Sequence, residues 1–287
     1  MRGYLEETPF DRPLSHILKA RPEPGTRLVW LGQAGFVVEA HGKRIVIDPY
    51  LSDSLARKYR GTERPHIRMM PAPVTVEEMG CVDLVLCTHA HTDHMDPETL
   101  QPLLHRNPGT FLVAPRAVRS QAMARAGVAE ERLILLSGGE TATLGTDIRI
   151  TATRAAHEAV ETDPSGNHRF LGYVFDFGDV RFWHSGDCVP FPGLEDEVRA
   201  LRPDIALLPV NGRRPDLSQS GIAGNFNLDE AIAISRSIAC REMVAHHYGL
   251  FDFNTEKPDT IDAAAKSAQS LKVHRARQGI AFTWTTI

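Results

Sequence analysis

The stretch Thr88-His89-Ala90-His91-Thr92-Asp93-His94-Met95-Asp96 constrains this chain more than any other. It follows an apolar run, Val82-Asp83-Leu84-Val85-Leu86-Cys87, that reads as a buried strand, and it leads into a helix-forming segment starting near Pro97. Three histidines and an aspartate within six positions give a density of polar atoms that a packed core does not tolerate, because each would need its own buried partner. Metal binding removes that difficulty. Residues two apart in an extended or turning segment point the same way, so His89 and His91 can converge on one ion while Asp93 and His94 reach round to a second. The alternative is a surface loop that happens to be rich in histidine.

The rest of the chain is ordinary for a globular protein, with 287 residues of which 42% are hydrophobic. A formal net charge of -4 gives no basic field for nucleic acid, although local arginine clusters can serve a small anion. The segment Met1-Arg2-Gly3-Tyr4-Leu5-Glu6-Glu7 lacks the apolar core of a secretory signal, and no uncharged apolar stretch is long enough to span a bilayer. A cytoplasmic location with no membrane partner is expected. Four cysteines (Cys81, Cys87, Cys188, Cys240) are too few and too scattered for a disulfide framework or a Cys-x-x-Cys site.

Residues 1–25, rich in proline and charge, read as an arm or short helix laid on the surface, and 26–287 as a single domain. Two β-rich runs within Arg27–Glu39, broken by a Gly-containing bend, and a third at Arg44–Pro49 form an antiparallel meander. Leu51–Pro73 carries Arg57, Lys58, Arg60, Arg64, His66 and Arg68 without periodicity and reads as a long excursion over the site. After the motif, helices at 97–106 and 116–125 alternate with strands at 110–114 and 132–136. Strands follow at 140–144, 148–153, 171–177 and 180–183, then a helix at 194–201, a strand at 204–210, and a helix from Leu228 capped by Asn227 and Glu230. A strand at 242–245, a last helix from Thr260 to Val273 and a strand at 280–283 complete the expected α/β class.

His-x-His-x-Asp-His at the end of a strand resembles the signature of the metallo-β-lactamase fold superfamily. The resemblance implies a four-layer αβ/βα sandwich. It implies His157, at a strand terminus, as the third ligand of the first ion, and Asp187, after His184-Ser185-Gly186, as a carboxylate bridging both. A bridging carboxylate offers one oxygen to each cation and offsets their repulsion. It also implies that His246 or His247 completes the second ion, and His247, directly before an aromatic and a glycine, is the better match. Asp48 would either accept the second ring N–H of a ligating histidine or merely cap the turn before Pro49. His184 stands beside it as a supporting residue.

This set, all nitrogen and oxygen, implies two divalent ions, zinc or manganese with iron also allowed. Two ions roughly 3.5 to 4 Å apart hold a hydroxide between them and polarise the group it attacks, which is hydrolysis near neutral pH. Asp93 and Asp187 would be the catalytic carboxylates, with Asp93 also shuttling a proton to the leaving group. Trp30-Leu31-Gly32, the motif ending in Asp96, His184–Asp187 and paired His246-His247 together resemble the L-ascorbate-6-phosphate lactonase branch, so a phosphorylated sugar lactone or similar small anionic ester is the expected substrate. Arg68, His168, Asn211, Arg213 and Arg214 are the candidate substrate contacts. A phosphodiesterase of the N-acyl-phosphatidylethanolamine phospholipase D-like branch is the alternative, since His247-Tyr248-Gly249 resembles that group's ending. A non-catalytic metal-binding domain is the second. A homo-oligomer is compatible with either.

Overall fold

The computed structural model describes residues 3–287, which divide into two compact units. The first comprises the chain up to Leu136 together with Leu250–Phe253 and Arg277–Ile287. Its strands are β1 (Gly3–Pro9), β2 (Arg27–Gly32), β3 (Gly35–Ala40), β4 (Lys43–Ile47), β5 (Leu84–Leu86), β6 (Phe111–Pro115), β7 (Leu133–Leu136) and the last strand of the chain, β15 (Ile280–Thr286). They form one sheet in the order β1-β15-β2-β3-β4-β5-β6-β7. Pairing is antiparallel from β1 to β4 and parallel from β4 to β7.

That change of direction positions chemistry. In the parallel pair Ile47 lies opposite Leu86, so the chain leaving β4 at Asp48 and the chain leaving β5 at Thr88 emerge side by side, and the Asp48 N–H still donates to Leu86 O at 2.9 Å. Helix α3 (Pro97–Arg106) follows, with Asp96 as its N-cap accepting from Glu98 N and proline at its first turn. Its apolar face, Leu100, Leu103 and Leu104, packs with Val85, Cys87, Met95 and Leu112 in the main core cluster of this unit. Helix α4 (Arg119–Ala126) closes at Gly127 in the left-handed conformation. The segment read as an N-terminal arm contains β1, paired along its length with β15, and α1 (Leu14–Lys19), which buries Leu14 and Leu18. The excursion after β4 contains a short helix, α2 (Ser54–Lys58).

The second unit, Ser137–Gly249 and Asn254–Ala276, contains β8 (Thr141–Leu144), β9 (Ile148–Arg154), β10 (Leu171–Asp176), β11 (Arg181–His184), β12 (Ile205–Pro209), β13 (Glu242–His246) and β14 (Lys272–Arg275). The sheet order is β14-β13-β12-β11-β10-β9-β8, parallel from β11 to β14. Helices α5 (Leu194–Leu201), α6 (Pro215–Gln219), α7 (Leu228–Ser237) and α8 (Pro258–Ser267) occupy the connections. The expected Asn227/Glu230 capping box is present at α7. The last helix ends at Ser267 rather than Val273. Ser270 takes a positive φ of 60°, and Lys272–Arg275 instead forms β14, parallel to β13.

The fold is thus mixed α/β, two sheets with helices, as the sequence implied. Among the described residues no helix is long and apolar enough to cross a membrane.

Candidate metal centre

In the first unit the donors stand on the turn between β5 and α3. The rings of His89 and His94 lie 4.1 Å apart and those of His89 and His91 4.6 Å apart. Asp48 organises them. Its carboxylate accepts from Thr88 N at 2.7 Å, from Thr88 Oγ1 at 2.6 Å and from His94 Nδ1 at 2.7 Å. Having donated to Asp48, the Thr88 hydroxyl is an acceptor for His89 Nδ1 at 3.1 Å. Both rings therefore have Nδ1 tied to oxygen, which leaves Nε2 as the basic nitrogen. Asp48 thus contacts both the end of β5 and the ring of His94. Asp48 itself holds a φ of 42°, a strained value for a non-glycine residue, and is wholly buried.

One participant was not read from the sequence. Gln33, on the turn between β2 and β3, donates from Nε2 to Asp93 Oδ2 at 2.8 Å. A lone glutamine distant in sequence from its partner carries no local pattern.

In the second unit the parallel strands β11, β12 and β13 end together, with His184 opposite Leu207 and Pro209 opposite His246. Asp187 and His247 follow those ends. Asp187 Oδ1 lies 3.2 Å from His247 Nε2, and Asp187 Oδ2 lies 3.7 Å from His157 Nε2. His157 Nδ1 faces Gly224 O at 3.3 Å, so it too presents Nε2. His247 takes a φ of 59°, and the chain after it is pinned by Tyr248 Oη donating to Ala276 O and by Gly249 N donating to Thr255 Oγ1 at 2.6 Å. His246 stacks on His184 at 4.9 Å, and burial pushes its pKa well down. His184 Nδ1 accepts from Gly186 N at 3.1 Å and shapes the turn that delivers Asp187. Cys188, next in the chain, is a buried thiol whose pKa desolvation raises to about 12.

The candidate substrate contacts are mostly engaged elsewhere. Arg68 donates to the carbonyls of Tyr50 and Ser52 and lies over the Tyr50 ring, with burial lowering its pKa. Arg213 makes a two-pronged pair with Glu230 at 2.6 Å for each oxygen. Asn211 exchanges side-chain hydrogen bonds with Asn254 and Asn225. His168 Nδ1 accepts from Gly138 N and contacts Ser137 Oγ. Arg214 is about half exposed and 3.6 Å from Asp216.

Residues 43–248 match the family described as Beta-lactamase superfamily domain. The chain belongs to that superfamily. Within it, the chain is similar to UPF0173 metal-dependent hydrolases. One, from Rubrobacter xylanophilus, is 27% identical over 262 residues, covering 89% of this chain and 95% of the relative. Another, from Caldivirga maquilingensis, is 32% identical over 185 residues, covering 64% and 70%. N-acyl-phosphatidylethanolamine-hydrolyzing phospholipase D 1 of Caenorhabditis elegans is 24% identical over 245 residues, covering 81% and 66%. Among solved structures Igni18, a metallo hydrolase of Ignicoccus hospitalis, has a TM-score of 0.68 at 21% identity, covering 91% of this chain and 99% of that one, which bears on the fold alone. The protein is a metal-dependent hydrolase of the metallo-β-lactamase superfamily.

The residues present fit that conclusion. His89, His94, His157, Asp187 and His247 are all buried, and they belong to His/Asp clusters that could hold metal ions. The three rings with tied Nδ1 atoms have the pre-set orientation that metal-binding histidines need.

Proposed function

We propose that His89, His91 and His157 hold one divalent ion, that Asp93, His94 and His247 hold a second, and that Asp187 serves both, in a hydrolase of small anionic esters such as phosphorylated sugar lactones. The observation that carries the reading is at Asp187, whose two oxygens face two different histidines, Oδ2 toward His157 and Oδ1 toward His247. A carboxylate so divided suits a bridge between ions. Zinc, manganese and iron all suit this nitrogen and oxygen set. When bound, such ions lower the pKa of water and polarise the bond under attack.

The chain's own residues do the rest. Asp48 fixes the His94 ring directly and the His89 ring through Thr88. Asp93 receives the proton of the attacking water and delivers it to the leaving oxygen as the ester bond breaks. For a lactone this opens the ring to a hydroxy acid. The phosphate contact is assigned to Arg214, the most exposed of the three candidate arginines.

The resemblance of His184–Asp187 and of His246-His247 to the lactonase branch supports the substrate. The similarity to an N-acyl-phosphatidylethanolamine-hydrolyzing enzyme supports phosphodiester cleavage as a second reading. The deciding experiment screens metal-reconstituted protein, with Asp187→Ala as control, against phosphorylated lactones, neutral lactones and phosphodiesters. Lactone turnover that is absent from the Asp187→Ala protein is the expected result. Turnover confined to diesters moves the assignment to the second reading, and full activity in Asp187→Ala removes the bridging role.

A further inference from the structure

We infer that Gln33 is a positioning residue that fixes the carboxylate of Asp93 for the second ion. The inference rests on Asp93 being a ligand, as proposed above. Gly32 pairs with Gly35, so Gln33 and Ala34 form a two-residue turn between β2 and β3. Gln33 is its first residue and has a φ of 50°. A first turn residue with positive φ is a glycine position, since any side chain there is strained. The turn is also buried, with Gln33 3% and Ala34 0% exposed, where hairpin tips ordinarily meet water.

A strained residue in a buried turn needs a reason, and the side chain supplies one. Gln33 Nε2 lies 2.8 Å from Asp93 Oδ2, sixty positions along the chain. A carboxylate only accepts hydrogen bonds, so the amide nitrogen is the end that faces it. The other end of the residue is anchored as well, with Trp30 Nε1 donating to Gln33 O at 2.9 Å from a buried indole. The turn thus holds a rigid donor against one oxygen of Asp93. Asp93 is the more exposed of the two carboxylates in the proposed set. The Gln33 amide orients that carboxylate, as outer partners of metal ligands generally do.

Two variants separate this role from packing. Gln33→Gly relieves the backbone and removes the amide. Gln33→Met keeps the volume and backbone and removes only the donor. Metal content, ion affinity by chelator competition, and melting of the metal-free protein are measured for each beside the wild type. Affinity for one of the two ions should fall about 10- to 100-fold in both variants, with the other ion unaffected. The metal-free melting temperature of Gln33→Gly should not fall. On a turned-over ester kcat should drop with KM little changed.

Wild-type affinity for both ions in both variants overturns the inference and leaves the proposed function standing. Equal losses at both ions make Gln33 a packing residue and overturn it too. A wild-type protein with no tightly bound metal overturns the inference together with the reading beneath it.

Discussion

Asp48 shows how one residue can set several others. Its carboxylate accepts from Thr88 and from His94 Nδ1, and through the Thr88 hydroxyl it also governs His89. In Asp48→Asn the amide can present N–H to His94 Nδ1, which shifts the ring proton to Nε2 and removes the ligating lone pair. Metal affinity should therefore fall about 10- to 100-fold, measured by chelator competition, and wild-type affinity would argue that Asp48 only shapes the turn. Arg213 makes the opposite point. From sequence it stands in a basic loop at a strand end and reads as an anion contact, but its partner Glu230 is also the reciprocal residue of the α7 capping box. Arg213→Ala should cost about 0.5–1 kcal/mol in denaturant titration and leave KM for an anionic substrate unchanged, while Arg214→Ala raises that KM. The central motif was legible because its donors are adjacent in the chain. Gln33 and the Arg213–Glu230 pair were not, because each depends on a partner that only the fold brings near.

At the scale of elements, the capping box at α7, Gly127 after α4 and the strand before the motif follow from local rules, and the structure contains all three. The end of α8 does not follow from them. Apolar residues continue past Ser267, and it is pairing with β13 that makes Lys272–Arg275 a strand. The excursion after β4 is held by Arg68, whose donors satisfy the Tyr50 and Ser52 carbonyls, and by His66 stacked on Tyr59 at 4.2 Å. Arg68→Ala should leave those carbonyls unsatisfied, and limited proteolysis should then cut first between residues 51 and 73. The segment from His157 to Phe170 has a pH dependence of its own. Desolvation, aided by Arg154, lowers the pKa of His168, and Gly138 N–H already donates to its Nδ1. The unfolded chain then takes up this proton first, so stability is full above the ordinary histidine pKa of about 6.5 and declines as pH falls from there toward the lower folded value. Metal-free protein should show a smaller decline between pH 7.5 and 5.5 when His168 is replaced by Asn.

At the scale of the molecule, the α/β class was legible because β and α periodicities alternate along the chain. The pairing of the first strand with the last was hidden, since a short charged run such as Gly3–Pro9 becomes a strand only when β15 is beside it. Division into two units was likewise outside local patterns, because the first unit recovers Leu250–Phe253 and Arg277–Ile287 after the second has been built. Ions that bind the folded state alone add stability by mass action, about 4 kcal/mol at a thousandfold excess over Kd, so chelation should lower the melting temperature of the whole protein. The most direct test of the account is the metal content of purified, reconstituted protein by elemental analysis, alongside Asp187→Ala. Two divalent ions per chain, with at most one retained in the variant, is the predicted result. A wild-type chain that holds no tightly bound ion, or a variant that still holds two, would contradict it.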